Sequence, residues 1–445
     1  MAVARTTVSN LLEQLAFAGV AGSAALRGAL GGVSPQTLGR LVAEAGENVY
    51  RFGRGPSTRY ARTRSVEGLG SSVPAFRVDT TGQVQPAGRL RLLWGGRTYW
   101  EHGQASRLFE GLPPELVDMA PQGFLGRNFP ARFPELRFPP RITDWSDDHR
   151  LLAVARRGED CVGDLIIGDE SLERFLANSP EDMSPDRYGE LATRSATEIV
   201  GSSAGGERPK FGVFSQGRHV LVKFAPDAAT EVARRWRDLL WCEWKALETI
   251  AAAGRPASRG RCFDGDGWRF LEVERFDRAG RRGRRAVVSL FALNNEYLET
   301  PDSWTSAAPL LRAAPFSLSE ADASSMQWLD VFGQLIGNTD RHFGNVSFLV
   351  APDGSVRLAP AYDMLPMALA PSADVVVARR LVPAPPTART LDVWSDAAGW
   401  AQRFWSEVRD HRELAPDVRQ FAEEAIGAIS TLAGRISPHG PPGPR

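Results

Sequence analysis

The residues with the most chemistry to offer lie in one run, Ile336-Gly337-Asn338-Thr339-Asp340-Arg341-His342-Phe343-Gly344-Asn345-Val346-Ser347-Phe348. Asp340 and Asn345 stand five positions apart. In a loop of the form H-R-D-x-x-x-x-N, that spacing lets the Asp orient a hydroxyl and accept its proton while the Asn holds a metal ion. The run continues into an expected strand, a turn at Pro352-Asp353-Gly354, a second strand, and Pro360-Ala361-Tyr362-Asp363. Asp363 thus falls just past a hairpin, where a second metal-binding carboxylate belongs. One carboxylate and one amide oxygen are hard donors that suit Mg²⁺ bridging the phosphates of ATP. Asp340 or Asn345 alone would fit equally well as a turn residue or helix cap; the ordered set argues for phosphoryl transfer.

Two upstream residues complete that set. Of the 53 basic side chains in the 445-residue chain, 50 are Arg and three are Lys: Lys210, Lys223 and Lys245. Lys223 lies in His219-Val220-Leu221-Val222-Lys223-Phe224, an expected strand whose alternation puts it on the face of Leu221. A lysine there is costly unless its ammonium meets an anion. Its retention in an Arg-rich chain suggests a need for a compact ammonium instead of a planar guanidinium. Glu243, in the expected helix Trp241–Leu247, can pair with it and aim it at nucleotide phosphates; an ordinary salt bridge is the plainer alternative. Before the strand, Gly201-Ser202-Ser203-Ala204-Gly205-Gly206-Glu207-Arg208-Pro209-Lys210 is a small-residue loop that could approach phosphate oxygens, or simply a surface loop. After it, Phe270–Asp277 reads as a strand running into a linker whose exposed backbone can bond an adenine edge.

These residues need elements to position them, and the chain is long enough for two to four domains at roughly 100–200 residues each. Formal charge is zero, but residues 1–64 hold eight Arg against Glu13, Glu44 and Glu47, which suggests a polyanion-binding end. That segment reads as three short helices capped by Ser9, Ser23 and Ser34, the last with Pro35 at its first position and Gly46 at its end. Val49–Phe52 and Thr58–Arg62 follow as a basic hairpin. Helix, turn, helix and basic hairpin suggest a winged helix-turn-helix. Gln36, Thr37 and Arg40 would face base edges, and Arg51, Arg54, Arg59, Arg62 and Arg64 would face phosphates. A helical protein-contact module is the alternative. Between residues 70 and 200, Val73–Val78, Leu90–Trp94, Thr98–Trp100, Leu151–Ala155 and Leu165–Ile167 are strand candidates. No apolar run is long enough to span a membrane. Three widely spaced cysteines and an N-terminus without a signal-peptide pattern lead to the expectation of a reduced, cytoplasmic protein.

On these motifs the chain resembles the HipA family of serine/threonine kinase toxins, closest to its YjjJ-type branch. Asn338-Thr339-Asp340-Arg341-His342-Phe343-Gly344-Asn345 is similar to that family's N-x-D-x-H-x-x-N loop, and Tyr362-Asp363 to its metal-binding Tyr-Asp. The resemblance implies an α+β, two-lobed kinase-like fold with ATP and Mg²⁺. Asp340 would be the base, and Asn345 and Asp363 would hold the metal. Lys223, Glu243, Gly205, Gly206, Lys210, Glu274, Phe276, Asp277 and His342 would contact the nucleotide, with adenine on the backbone of Glu274 and Phe276. Ser202 or Ser203 fills the place of the family's autophosphorylated serine. The units expected are 1–64 (DNA-binding), 65–200 (β-rich), 201–310 (ATP-binding), 311–436 (helical, catalytic) and a tail, 437–445. The expected partners are a protein substrate, DNA and an antitoxin. A small-molecule phosphotransferase and a DNA-binding regulator that senses nucleotide remain alternatives.

Overall fold

Helix α1 (Val8–Ala18) begins at Thr7, whose hydroxyl accepts from the Asn10 amide while the Asn10 side chain accepts from the Thr7 amide. This reciprocal cap places the start ahead of the expected Ser9, which lies inside the helix. The structure is a computed structural model and describes residues 6–198, 209–298, 300–313, 315–372 and 375–436. The segment with Ser202, Ser203, Gly205 and Gly206 therefore lies outside the described residues, as does the tail.

Strand β1 (Val20–Gly22) leads into α2 (Ser23–Ala29), whose cap is Gly22, so Ser23 is a helical residue and not the expected cap. Helix α3 (Pro35–Ala45) starts as expected, with the Ser34 hydroxyl accepting from the Thr37 amide, and ends at Gly46. Strands β2 (Val49–Phe52) and β3 (Arg59–Arg62) form the hairpin, and β1 joins its free side to give an antiparallel sheet of order β1-β3-β2. Leu11, Leu15, Leu26, Leu38, Leu41 and Tyr60 close a small core under it. Arg51, Arg54 and Arg59 are exposed on the hairpin. Arg62 and Arg64 do not join them. Arg62 lies 4.1 Å from the Trp94 ring centroid, and Arg64 pairs with Asp148 at 2.6 Å and donates to the Leu93 carbonyl at 3.1 Å. Both therefore fasten this unit to the next, and Phe52 adds a ring contact with Tyr99 at 4.4 Å.

That next unit is an antiparallel sheet of order β7-β6-β5-β4-β8, made of β4 (Ser72–Val78), β5 (Val84–Leu92), β6 (Thr98–Glu101), β7 (Arg107–Phe109) and β8 (Leu165–Ile167). Helices α4 (Pro114–Met119), α5 (Gly123–Arg132), α6 (Asp147–Arg157) and α7 (Asp169–Ala177) accompany it. The expected strand Leu151–Ala155 is part of α6. Ser146 caps that helix, Asp147 and Asp148 favour its first turn, and Leu151, Val154 and Ala155 reach the sheet with i, i+3, i+4 spacing. A run of Leu and Ala beside a capping Ser and two Asp reads better as helix than strand.

Helix α8 (Tyr188–Glu198) falls within the expected 65–200 unit but packs elsewhere. Tyr188 is buried among Val220, Val222, Phe224 and Phe270 and donates to Glu272 at 2.9 Å. Those residues belong to the third sheet, of order β11-β12-β10-β9, formed by β9 (Lys210–Ser215), β10 (Arg218–Pro226), β11 (Gly260–Gly265) and β12 (Trp268–Glu274). The change of packing partners thus falls near Pro180, within the expected 65–200 unit. Helix α9 (Glu231–Ala252) crosses the other face. The chain then passes through β13 (Arg278–Ala279), β14 (Gly283–Arg284), β15 (Val287–Ser289), α10 (Leu290–Tyr297), α11 (Trp304–Leu311) and α12 (Glu320–Leu335). The hairpin β16 (Ser347–Val350) and β17 (Val356–Leu358) precedes two long helices, α13 (Leu391–Asp410) and α14 (Pro416–Ile436). One large core joins α9 to these helices, with Trp304, Trp328, Phe332, Phe404 and Trp405 fully enclosed. Lys245 also ties α9 to α13, through Glu407 at 2.8 Å. Among the described residues, no helix is long and apolar enough to cross a membrane.

Trp405 donates its indole N–H to the Leu335 carbonyl at 3.0 Å, at the last turn before the Asp340 run. Trp405→Ala empties a buried site and strands that carbonyl, so it should lower stability by about 3–5 kcal/mol in urea unfolding. A loss below about 1 kcal/mol would mean that this core does not anchor the loop.

Candidate active site

Lys223 stands on β10 opposite Leu271 of β12 and Lys210 of β9, and it is buried. Its ammonium donates to Glu243 Oε1 on α9 at 2.6 Å and to Asp363 Oδ1. Burial works to deprotonate it, but Asp363 and Glu243 prevail and raise its pKa above the usual lysine range. Burial pushes Glu243 up against the pull of Lys223. On Asp363 burial acts the same way, yet Lys223 and Lys210 hold that carboxyl down at about 2. A cation between two anions is thus fixed where a desolvated charge alone would be expensive.

The Asp363 backbone has φ of 51°, in the left-handed region that a β-carbon disfavours. Its carbonyl accepts from Asn338 Nδ2 at 3.4 Å, so the strained turn is held from both ends. Asn338 is 1% exposed, and its Oδ1 accepts from the Asp340 amide at 3.0 Å. Asn345 Nδ2 in turn donates to the Asp340 carbonyl at 2.8 Å, which leaves its amide oxygen as the end to face a cation. Asp340 itself is exposed. Behind the loop, Asp330 accepts from the Thr305 amide, the Thr305 hydroxyl and Arg341 Nε at 3.1, 2.7 and 3.1 Å. Arg341 also reaches the Asn338 carbonyl. Tyr362 donates to the Gly344 carbonyl at 2.7 Å, and Trp304 to the His342 carbonyl at 3.2 Å.

The structure therefore brings together Lys223, Glu243, Asp363, Asp340 and Asn345, with Lys210 beside them in the sheet. His342 accepts from the Gly344 amide at 3.0 Å and caps the turn before Asn345. At the linker, the Phe276 ring lies 5.7 Å from that of Tyr362, and the Glu274 amide donates to the Arg259 carbonyl at 2.8 Å. Asp277 differs from expectation. Its buried carboxylate accepts from Arg275, Arg278 and the Gly163 amide at 3.0, 2.6 and 3.1 Å, so it is committed to the middle unit and not to a nucleotide. Among the described residues, no group of three or more His, Cys, Asp or Glu could hold a metal. Asp363 and Asn345 nonetheless fit Mg²⁺ once phosphate oxygens complete the shell, since both offer hard oxygen donors.

Two residues of this site carried no role in the sequence reading, Asn338 and Asp330. Asp330 had a signal, an acid inside the apolar helical run Trp328-Leu329-Asp330-Val331-Phe332. The N-terminal candidates stand apart. Gln36 is exposed, the Thr37 hydroxyl is 3.0 Å from that of Ser34, and Arg40 pairs with Glu44.

Residues 202–431, just over half the chain, match the model of the HipA-like C-terminal domain, and the chain belongs to the HipA family of toxins. Residues 69–176 match the model of the YjjJ-like toxin, middle domain. Within the family the chain is similar to Toxin YjjJ of Escherichia coli (strain K12), with 33% identity over 420 residues, 91% of this chain and 94% of that protein. Among solved structures, the HipA–HipB–operator DNA complex of Shewanella oneidensis MR-1 aligns at TM-score 0.47 and 17% identity, over 72% of this chain and 85% of that one. The Helicobacter pylori proinflammatory kinase CtkA aligns at TM-score 0.37 and 16% identity, over 54% and 96%.

The Asp363 carboxyl has a folded-state pKa below its unfolded value. Its contribution to stability is therefore complete above roughly pH 5 and drains away as pH falls toward the folded value. The gap in thermal midpoint between wild type and Asp363→Asn should shrink across that interval. A gap constant with pH would mean that the carboxylate gains nothing from Lys223.

Proposed function

We propose that the chain is an ATP- and Mg²⁺-dependent protein-serine/threonine kinase of the HipA toxin type. The reading is carried by the unbroken hydrogen-bonded path from Glu243 through Lys223, Asp363, Asn338 and Asp340 to Asn345. It links a phosphate-neutralising cation, two metal-facing oxygens and a proton acceptor in one rigid unit. Lys223 lies against the α- and β-phosphates, and Asp363 and Asn345 hold Mg²⁺, which supplies neutralising charge when bound. The backbone from Glu274 to Phe276 carries adenine. Asp340, open to solvent, orients a serine hydroxyl of the protein target and takes its proton. The new bond joins that oxygen to the γ-phosphorus, and the bond to the β-phosphate oxygen breaks to release ADP. The resemblance suggests a translation factor or aminoacyl-tRNA synthetase as target, and a serine at 202 or 203 as a site of self-modification.

Incubation with radiolabelled Mg-ATP and a bacterial lysate should label protein, and Asp340→Asn should cut labelling by about 10²–10⁴-fold. ATP binding with no transfer to any protein would defeat this reading and favour a nucleotide-sensing regulator. ATP consumption on a metabolite would favour a small-molecule phosphotransferase.

The N-terminal unit fits a winged helix-turn-helix that reads DNA. Three helices against a β1-β3-β2 sheet, with Arg51, Arg54 and Arg59 exposed at the hairpin, support this. An antitoxin can act beside it. Replacing those three arginines by Ala should lower the slope of log affinity against log salt by about 2–3. An unchanged slope would remove the hairpin from the DNA interface.

A further inference from the structure

A cavity of about 270 Å³ lies between the middle unit and the outer end of the β9–β10 hairpin. The middle unit contributes Glu159, Asp160, Phe175 and the stretch from Asn178 to Pro180; the hairpin contributes Gly212, Val213, Phe214 and His219. Five arginines line it as well, Arg275, Arg278, Arg281, Arg282 and Arg284. Two of the five are neutralised: Arg275 and Arg278 share Asp160 at 2.9 and 2.8 Å and Asp277 at 3.0 and 2.6 Å.

The other three have no ion pair among the described residues. Arg281 donates to the Pro180 carbonyl and lies 4.7 Å from the Phe214 ring centroid. Arg282 donates to the Phe175 carbonyl at 2.6 Å and lies over the Phe175 ring. Arg284 is 3% exposed and donates to the carbonyls of Leu165 and Glu159 beside the Phe175 ring, with Asp160, already shared by Arg275 and Arg278, as a nearby charge. Carbonyls orient a guanidinium without neutralising it. Burial, with Arg278 close by, pulls the Arg284 pKa down to about 9. Glu159 is the one remaining acid, and its Oε2 is buried without a hydrogen-bond partner.

We propose that this cavity binds a phosphate dianion, free or as a monoester, through Arg281, Arg282 and Arg284. Planar guanidinium forks match phosphate oxygens, and an anion there supplies the charge that the three arginines lack. The volume suits a phosphate with a small organic group and falls short of the roughly 300–1,000 Å³ of larger ligands. Glu159 Oε2 can accept a hydrogen bond from a hydroxyl of such a ligand. The site is separate from the candidate active site. His219 precedes Lys223 by four residues along β10, roughly 13 Å, and none of Lys223, Asp340, Asn345 and Asp363 lines the cavity. Bound phosphate would join the middle unit to the sheet at the start of the linker.

Titration calorimetry of the full chain with inorganic phosphate and with O-phosphoserine tests this. One site is expected, unchanged within about twofold in Lys223→Ala, and weakened about tenfold or more in Arg281→Gln/Arg282→Gln. Both arginines of the double variant lie toward the surface, and an unchanged thermal midpoint without ligand verifies that it folds. Equal affinity for the two ligands identifies a reader of the phosphate alone; tighter phosphoserine binding identifies a monoester site. Binding lost in Lys223→Ala but kept in the double variant would overturn the proposal, as would no heat with either ligand at millimolar concentration.

Discussion

The charge on Lys223 is the constraint from which the rest of the site follows. A buried ammonium has to be met, and the carboxylates that meet it come from a helix and from a turn far along the chain. The sheet, α9 and the segment after β17 are therefore tied at one point. If both acids were absent, the sheet would carry a desolvated and unpaired charge. A chain that otherwise uses arginine keeps lysine here because a small ammonium can sit between two carboxylates, where a planar fork needs more room.

The loop from Asn338 to Asn345 has little regular structure, and its shape comes from groups behind it. Asn338 bonds to both Asp363 and Asp340, Asp330 takes Arg341, and Tyr362 and Trp304 hold the carbonyls of Gly344 and His342. Each is a single hydrogen bond of modest net worth. Together they leave the loop few alternative positions, so the exposed Asp340 carboxylate is presented from a rigid base.

Much of this site was legible in sequence because its chemistry has a spacing. Asp340 and Asn345 are read from an interval, and Lys223 from its oddity in an apolar strand of an Arg-rich chain. Asn338 and Asp330 were given no role, because their partners, a carbonyl, two backbone amides, a threonine hydroxyl and an arginine, come together only after folding. Asp277 failed for the same reason: two neighbouring arginines and a glycine of the middle unit claim it. In the fold, hydrophobic pattern and caps located α3, the basic hairpin and most strands. The run Leu151–Ala155 is apolar enough for either state, and the Ser146 cap and the packing of α6 on the middle sheet decide. Strand β1, at three residues, is too short to carry a pattern and owes its extended form to the β3 edge beside it.

The seam between the first unit and the middle sheet removes slack from the molecule. Arg62 on Trp94, Arg64 on Asp148 and Phe52 on Tyr99 are contacts of side chains, and the Arg64 amide adds a backbone bond to the Leu92 carbonyl at 2.9 Å. The basic hairpin is consequently held at a set bearing from the middle sheet. Reach is given up for orientation: the two surfaces move together, without the search that a loose linker performs.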